Sequence, residues 1–336
     1  MEGWIDMNDK PFKTYRQQMK YLRDNKKINC YGSDDEKILL RNGYFNLING
    51  YKSPFVIKTD KNGIHTYIGG TSIRHFEAVK HFDDELRYIL LKHITKIEEE
   101  IRTLVGHKFD YTNDNGKTEW FEVDSYNPVI KTQDKIKVIA ECYYQINKSK
   151  QPYVIHYLNN HNSLPTWVFI KVINFSTFID FISICRPEVI NSICTLYSIY
   201  DSYGNINTNL LISMLHWMRQ VRNSCAHNER IYGISRPNGR VNQPYDQYLK
   251  KPKTYTKHRS QRLIDLIVYL RYFMQDIEYQ EFIFQIKNQF LSLQSQLNKN
   301  AFEKVRAETG IKDIILLDEL ATTSKIIYYN KYESFK

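Results

Sequence analysis

The chain has 336 residues, of which 42% are hydrophobic, 14% aromatic and 25% charged; that much apolar material builds a sizeable core and excludes a mainly disordered protein. A mean hydropathy of -0.53 and the polar residues Lys171, Asn174 and Asp180 inside its most apolar run, Trp167 to Ile184, exclude a bilayer span there and suit a buried helix with a wetter edge. Forty-seven Lys and Arg against 37 Asp and Glu leave a net charge of +10, a surplus that favours polyanionic partners through steering and counterion release.

In chain order, Pro11 to Asn25 carries Phe12, Tyr15, Met19 and Leu22 at helical spacing, and Ile38 to Asn49 reads as a second helix broken by the run Gly50 to Pro54. Alternating apolar residues on either side of Asp60-Lys61-Asn62-Gly63 predict a hairpin from Phe55–Thr59 and Ile64–Ile68. After Gly69-Gly70, Thr71 or Ser72 is placed to cap a long amphipathic helix over Phe76 to Val105. Asp110 to Val123, with Asn113-Asp114-Asn115-Gly116, predicts an excursion with a tight turn. Helices then follow over Lys135–Ile146, Pro165–Ile184, Pro187–Tyr200 and Leu210–Arg230, the last with Thr208 as its expected cap. The basic stretch Ser235 to Arg259 reads as an exposed loop, either a solvated linker or an RNA-contacting arm. Arg262 to Leu297 is helical again, and Ala301 to Lys336 reads as shorter elements. The expected fold class is mainly α, a helical bundle with small hairpin excursions.

Five scattered cysteines, none in Cys-x-x-Cys, argue for a reducing cytoplasm rather than a disulfide scaffold or zinc ribbon. Ten histidines form no His-Glu-x-x-His, so no metal site and no cofactor are expected. Acidic residues early in the chain and the lack of an apolar stretch there predict no secretory signal.

The chemistry-bearing stretch is Arg222-Asn223-Ser224-Cys225-Ala226-His227. Metal-free RNA cleavage needs a group that moves protons near neutral pH, which histidine supplies. It also needs a permanent cation on the scissile phosphate, which the planar fork of arginine supplies. The RNA's own 2′-hydroxyl would attack, so such a site discriminates against DNA. Spacing alone is weak, because Arg102 and His107 have the same gap. On an ideal helix at about 100° per residue, Arg222 and His227 lie roughly 140° apart, whereas Asn223 and His227 share a face. Arg219, Asn223, His227 and Arg230 would then form one polar stripe with Arg222 beside it. The bland alternative is a basic helix face whose Asn and His satisfy backbone groups at the helix end.

The run Trp217 to Tyr232, with Arg222-Asn223-x-x-x-His227, resembles the signature of the HEPN superfamily, and more narrowly that of abortive-infection proteins of the AbiD/AbiF type. Leu47 to Phe55, the Gly70-Thr71-Ser72 turn leading to Phe82–Arg87, and Pro165-Thr166-Trp167 continuing to Phe175-Ser176-Thr177 are similar to three further motifs of that group. The resemblance covers roughly residues 11 to 300 and departs from the group at Asn228-Glu229 and in the basic insert after Tyr232. It implies an HEPN-type helical core with extra N- and C-terminal helices, acting as a metal-independent endoribonuclease in phage defence, with two motifs meeting across a homodimer. It also implies an RNA substrate and, by analogy with toxin–antitoxin relatives, a cognate small non-coding RNA as antitoxin. Type VI CRISPR effector nucleases share the same motif.

By that carry-over Arg222 positions the phosphate, His227 transfers protons and Asn223 orients His227 or the backbone. Arg219, Arg230, Arg236, Arg240, Lys250 and Lys251 are the candidate RNA-binding cations. The expected organisation is an N-terminal helical and hairpin region over 1–70, a core over 71–300 and an extension over 301–336. The rival expectations are a non-catalytic RNA-binding module and a purely structural interaction protein, the latter disfavoured by the charge.

Overall fold

The computed structural model describes residues 12–113, 118–161, 163–201, 203–236 and 260–322. The fold is mainly α, with only two short antiparallel strand pairs among the described residues. Two compact units share the chain: Met1–Leu86 with Lys287–Glu308, and Arg87–Ile286 with Thr309–Lys336.

In the first unit, helix α1 (Tyr15–Lys26) opens on a capping box, in which the Thr14 hydroxyl accepts the Gln17 N–H and the Gln17 amide oxygen accepts that of Thr14. Helix α2 (Gly32–Asn42) stops at Gly43, whose φ of 72° lies in the left-handed region. The helix expected over 38–49 is therefore two pieces, and Phe45–Asn49 forms a separate π turn. Strands β1 (Val56–Thr59) and β2 (His65–Tyr67) make the expected hairpin, with Asp60 accepting the N–H groups of Asn62 and Ile64 across the turn. The next helix is not capped as the sequence suggested. The Thr71 hydroxyl donates back to the Ile68 carbonyl, and His75 Nδ1 accepts the Ser72 N–H instead.

Helix α3 (Ile73–Thr112) runs for 40 residues. Its first part, to Leu86, belongs to the first unit, where Phe76 packs on Phe55 at 4.6 Å and Phe82 on Phe290 at 4.8 Å. Its remainder is a spine of the second unit, with Ile94, Ile97, Ile101, Val105 and Phe109 buried. The helix continues through the start of the excursion expected at Asp110, and most of the turn placed there, 114–117, lies outside the described residues.

The second unit then adds α4 (Thr132–Lys148), α5 (Pro152–Asn160), α6 (Thr166–Val172), α7 (Phe175–Ile184), α8 (Pro187–Leu196) and α9 (Thr208–Ala226). Helix α5 was not anticipated; Pro152 at its first turn pre-sets the helical φ. The run Pro165–Ile184 is two helices, because Asn174 turns out of the helix and its side chain caps α7 by accepting the Thr177 N–H. Strands β3 (Ser235–Arg236) and β4 (Gln261–Arg262) pair with each other, so these two residues of the expected basic loop are a strand, and 237–259 lie outside the described residues. Helices α10 (Leu263–Leu270) and α11 (Asp276–Gln296) divide the expected span at a turn where buried Arg271 donates to the Met274 carbonyl at 2.9 Å. Helices α12 (Lys299–Thr309) and α13 (Ile315–Ala321) follow. Among the described residues no helix is long and apolar enough to cross a membrane.

His93 on α3 is buried edge-on against Phe282, with its Nδ1 3.6 Å from Glu278 Oε1, too long for a hydrogen bond. Burial holds its pKa below the ordinary imidazole value, against the pull of Glu278. An unfolded chain would therefore take up this proton first, near pH 6.5, so stability falls as the pH drops below about 6.5. Urea melts across that range check this. His93→Leu should make the fall shallower without abolishing it, since burial also lowers His75 and His216.

Candidate active site

Helix α9 starts where the Asn207 side chain, not Thr208, accepts the Leu210 N–H at 3.0 Å. Its buried stripe of Leu211, Met214, Leu215, Met218 and Val221 fixes the rotation of the helix and so the direction of Arg222. The helix ends at Ala226, not Arg230. His227 caps it, Asn228 takes a left-handed φ of 55°, and the Glu229 N–H returns to the Ser224 carbonyl at 2.9 Å. Two side-chain bonds lock this turn: Ser224 Oγ donates to Glu229 Oε2 at 2.6 Å, and Arg87 Nη1, from α3, donates to the Glu229 carbonyl at 3.1 Å. The residues that depart from the related motif thus hold the helix end that carries His227.

Arg222 turns toward α3. Its Nε lies 3.6 Å from Glu98 Oε2, and its Nη1 donates to Asn223 Oδ1 at 3.1 Å. Glu98 is 7% exposed and shared, for its Oε1 accepts Arg102 Nε at 3.1 Å and Nη2 at 2.7 Å. Arg102 also donates to the Ile170 carbonyl and stacks on Phe178 at 4.5 Å. Burial pulls its pKa below the ordinary guanidinium value, and Glu98 opposes that shift. Asn223, expected to orient His227 or the backbone, accepts from Arg222 with its amide oxygen and from the His227 N–H with its backbone carbonyl, at 3.0 Å. The His227 ring stands exposed at the helix end.

A cleft of about 630 Å³ opens beside this ion pair, lined by α3 from Thr95 to Asp110, by Trp167, Ile170 and Lys171 of α6, and by Arg222. It brings Arg102 and His107, the second pair with the same spacing, to the cavity that Arg222 borders. Burial raises the Asp110 pKa above the usual carboxylate value, with a hydrogen bond from Thr166 and the nearby His107 opposing.

The structure distributes the other candidate cations. Arg219 donates to Ser176 Oγ, and Arg236 donates to the Ser213 carbonyl at 2.9 Å and its Oγ at 3.2 Å. Both press on His216, a half-buried residue that sequence spacing did not single out. Its pKa is lowered by burial and then by these two cations, with Asp180 opposing. Arg230 lies beyond α9, over the Tyr232 ring at 5.1 Å, so the stripe drawn from Arg219 to Arg230 is not one helical face. Arg240, Lys250 and Lys251 lie outside the described residues. Among the described residues no group of three or more His, Cys, Asp or Glu is arranged to hold a metal. All five cysteines are buried, and none forms a disulfide.

A sequence model of the Abi-like protein family matches residues 37–233, well over half of the chain. The chain belongs to that family. It is thus an abortive-infection-like protein, of a kind associated with phage defence. The match includes the Glu98, Arg102 and His107 stretch of α3 together with Arg222 and His227, and it ends just past Tyr232, before the basic segment. No curated protein and no solved structure matches the chain.

Ser224→Ala removes the hydroxyl that grips Glu229 and should cost about 1 kcal/mol. Urea unfolding checks this as a lower midpoint at unchanged slope.

Proposed function

We propose that this Abi-like protein is a metal-independent endoribonuclease of the HEPN type that acts in abortive infection. The observation that carries the reading is the end of α9, where Arg222 is hydrogen-bonded to Asn223 and ion-paired with Glu98, and the locked turn presents an exposed imidazole at His227. A guanidinium whose direction is already set spends little entropy on gripping a phosphate. In the reaction the base removes the 2′-hydroxyl proton, the 2′-oxygen attacks phosphorus, and the P–O5′ bond breaks as the leaving oxygen takes a proton. The products carry a 2′,3′-cyclic phosphate and a 5′-hydroxyl. Base and acid are two proton-transfer roles, and a homodimer would supply the second imidazole from the equivalent helix end of another copy. The cytoplasm is the compartment this function requires, and a small RNA antitoxin is the regulator that the resemblance suggests.

Two observations are equally compatible with the rival class. Arg222 is engaged by Glu98 and Asn223, as a purely structural arginine would be, and a net charge of +10 suits an RNA-binding module without catalysis. Mobility-shift titration beside single-turnover cleavage separates the two, since binding without product favours the module.

His227→Ala should abolish RNA cleavage and growth inhibition while keeping stability within about 0.5 kcal/mol, because the ring is exposed. Because Arg222 also neutralises Glu98, Arg222→Lys is a cleaner test than removal; it keeps the charge, loses the fork and should likewise silence cleavage. Wild-type cleavage should persist in excess EDTA and leave 2′,3′-cyclic ends. A strict requirement for magnesium, or full activity in either variant, would contradict the reading.

A further inference from the structure

We infer that the cleft between α3 and α6 seats the nucleoside of an unpaired RNA residue next to the phosphate held at Arg222, with Trp167 as the stacking platform. The inference rests on the ribonuclease reading for the identity of the ligand and extends it to a single-stranded substrate.

Three observations carry it. Trp167 is 56% exposed, which leaves a large apolar ring uncovered beside a cavity in a protein with a substantial core. Tyr157 braces it in a perpendicular contact, with centroids 5.6 Å apart and planes at 88°, so the indole is held for a flat ligand. Lys171 follows one turn later on α6, where residues four apart share a helix face, and both line the cleft. Of the four tryptophans, Trp120 and Trp217 are buried in the core and Trp4 lies outside the described residues.

The cavity, about 630 Å³, is within the usual range of small-molecule pockets, roughly 300–1,000 Å³. Its charges indicate which part of a nucleotide it takes. The cationic side chains of Arg102, Lys171 and Arg222 are matched by the carboxyl groups of Glu98, Glu99 and Asp110. Glu98 is committed to the two arginines, and Asp110 to Thr166. Glu99 is exposed and free to accept from a ribose hydroxyl or an exocyclic amine. A lining balanced in this way suits a nucleoside, whose polar edges are both donors and acceptors, better than a phosphate. Phosphate belongs at the Arg222 rim, toward the helix end that carries His227. Base stacking tolerates any sequence but requires the base to be out of a duplex.

The test uses the full chain carrying His227→Ala, so that RNA can be titrated without turnover, and reads intrinsic tryptophan fluorescence and affinity for a short single-stranded RNA of mixed sequence. Saturable quenching is expected, with the same sequence as a blunt duplex competing poorly. Trp167→Ala should remove most of the quenching and weaken binding by roughly fivefold or more, whereas Trp167→Phe should retain most of the affinity. Thermal melts confirm that both variants fold, as the exposure of Trp167 predicts. Unchanged affinity in Trp167→Ala, or equal affinity for single strand and duplex, overturns the inference. If that happens while the wild type still cuts RNA, the nucleoside seat fails and the ribonuclease reading stands. If binding depends on Trp167 but the wild type cuts no RNA, the seat stands and the catalytic reading fails.

Discussion

One buried carboxylate organises the candidate site. Glu98 accepts from Arg102 with one oxygen and faces Arg222 with the other, so two cations from different helices share a single anion inside the second unit. Removing charges from water is costly, and Glu98 Oε2, buried without a hydrogen bond, has the Arg222 guanidinium 3.6 Å away as its counter-charge. Arg102 is satisfied by Glu98, by the Ile170 carbonyl and by the Phe178 ring. Arg222 has a partner on either side and remains half-buried. Stability here is obtained by fixing direction, and the direction fixed is that of the guanidinium the function needs.

The same logic extends along α3. Eleven residues before Glu98, Arg87 reaches the carbonyl of Glu229, and the Glu229 carboxylate in turn takes the Ser224 hydroxyl. A single long helix therefore holds both the last turn of α9, through Glu98, and the reversal after it, through Arg87. His227 lies between these two anchors. An exposed imidazole is usually mobile, but this one is mounted on a backbone held on both sides. Further along, α3 supplies one wall of the cleft and α6 the other, so the spine that orients the arginine also shapes the space where a ligand would lie.

Much of this was legible in the sequence because apolar spacing is a direct record of which side of a helix is covered. The long helix of α3 and the hairpin around Asp60 to Gly63 both follow from local patterns. The errors have a common cause. Where a polar side chain chooses between several backbone partners, spacing does not say which one wins. Asn174 left its helix to cap the next one, Asn207 took the role assigned to Thr208, and His75 took that of Thr71 or Ser72. Nor does spacing show that Arg219 and Arg236, candidate RNA-binding cations, also reach Ser176 and Ser213. The equal spacing of Arg102–His107 and Arg222–His227 only weakens the spacing argument in the sequence, because nothing local reveals that a residue on α3 and one on α9 meet at Glu98. That fact belongs to tertiary packing alone.

The account depends on Glu98 and Arg222 being energetically coupled rather than merely adjacent. A double-mutant cycle with Glu98→Gln, Arg222→Gln and the pair, read by urea unfolding of the full chain, measures this directly. The two substitutions should be strongly non-additive, with a coupling of about 1–3 kcal/mol. A coupling indistinguishable from zero would mean that Arg222 is not held by Glu98, and the pre-set guanidinium on which the functional reading rests would be lost.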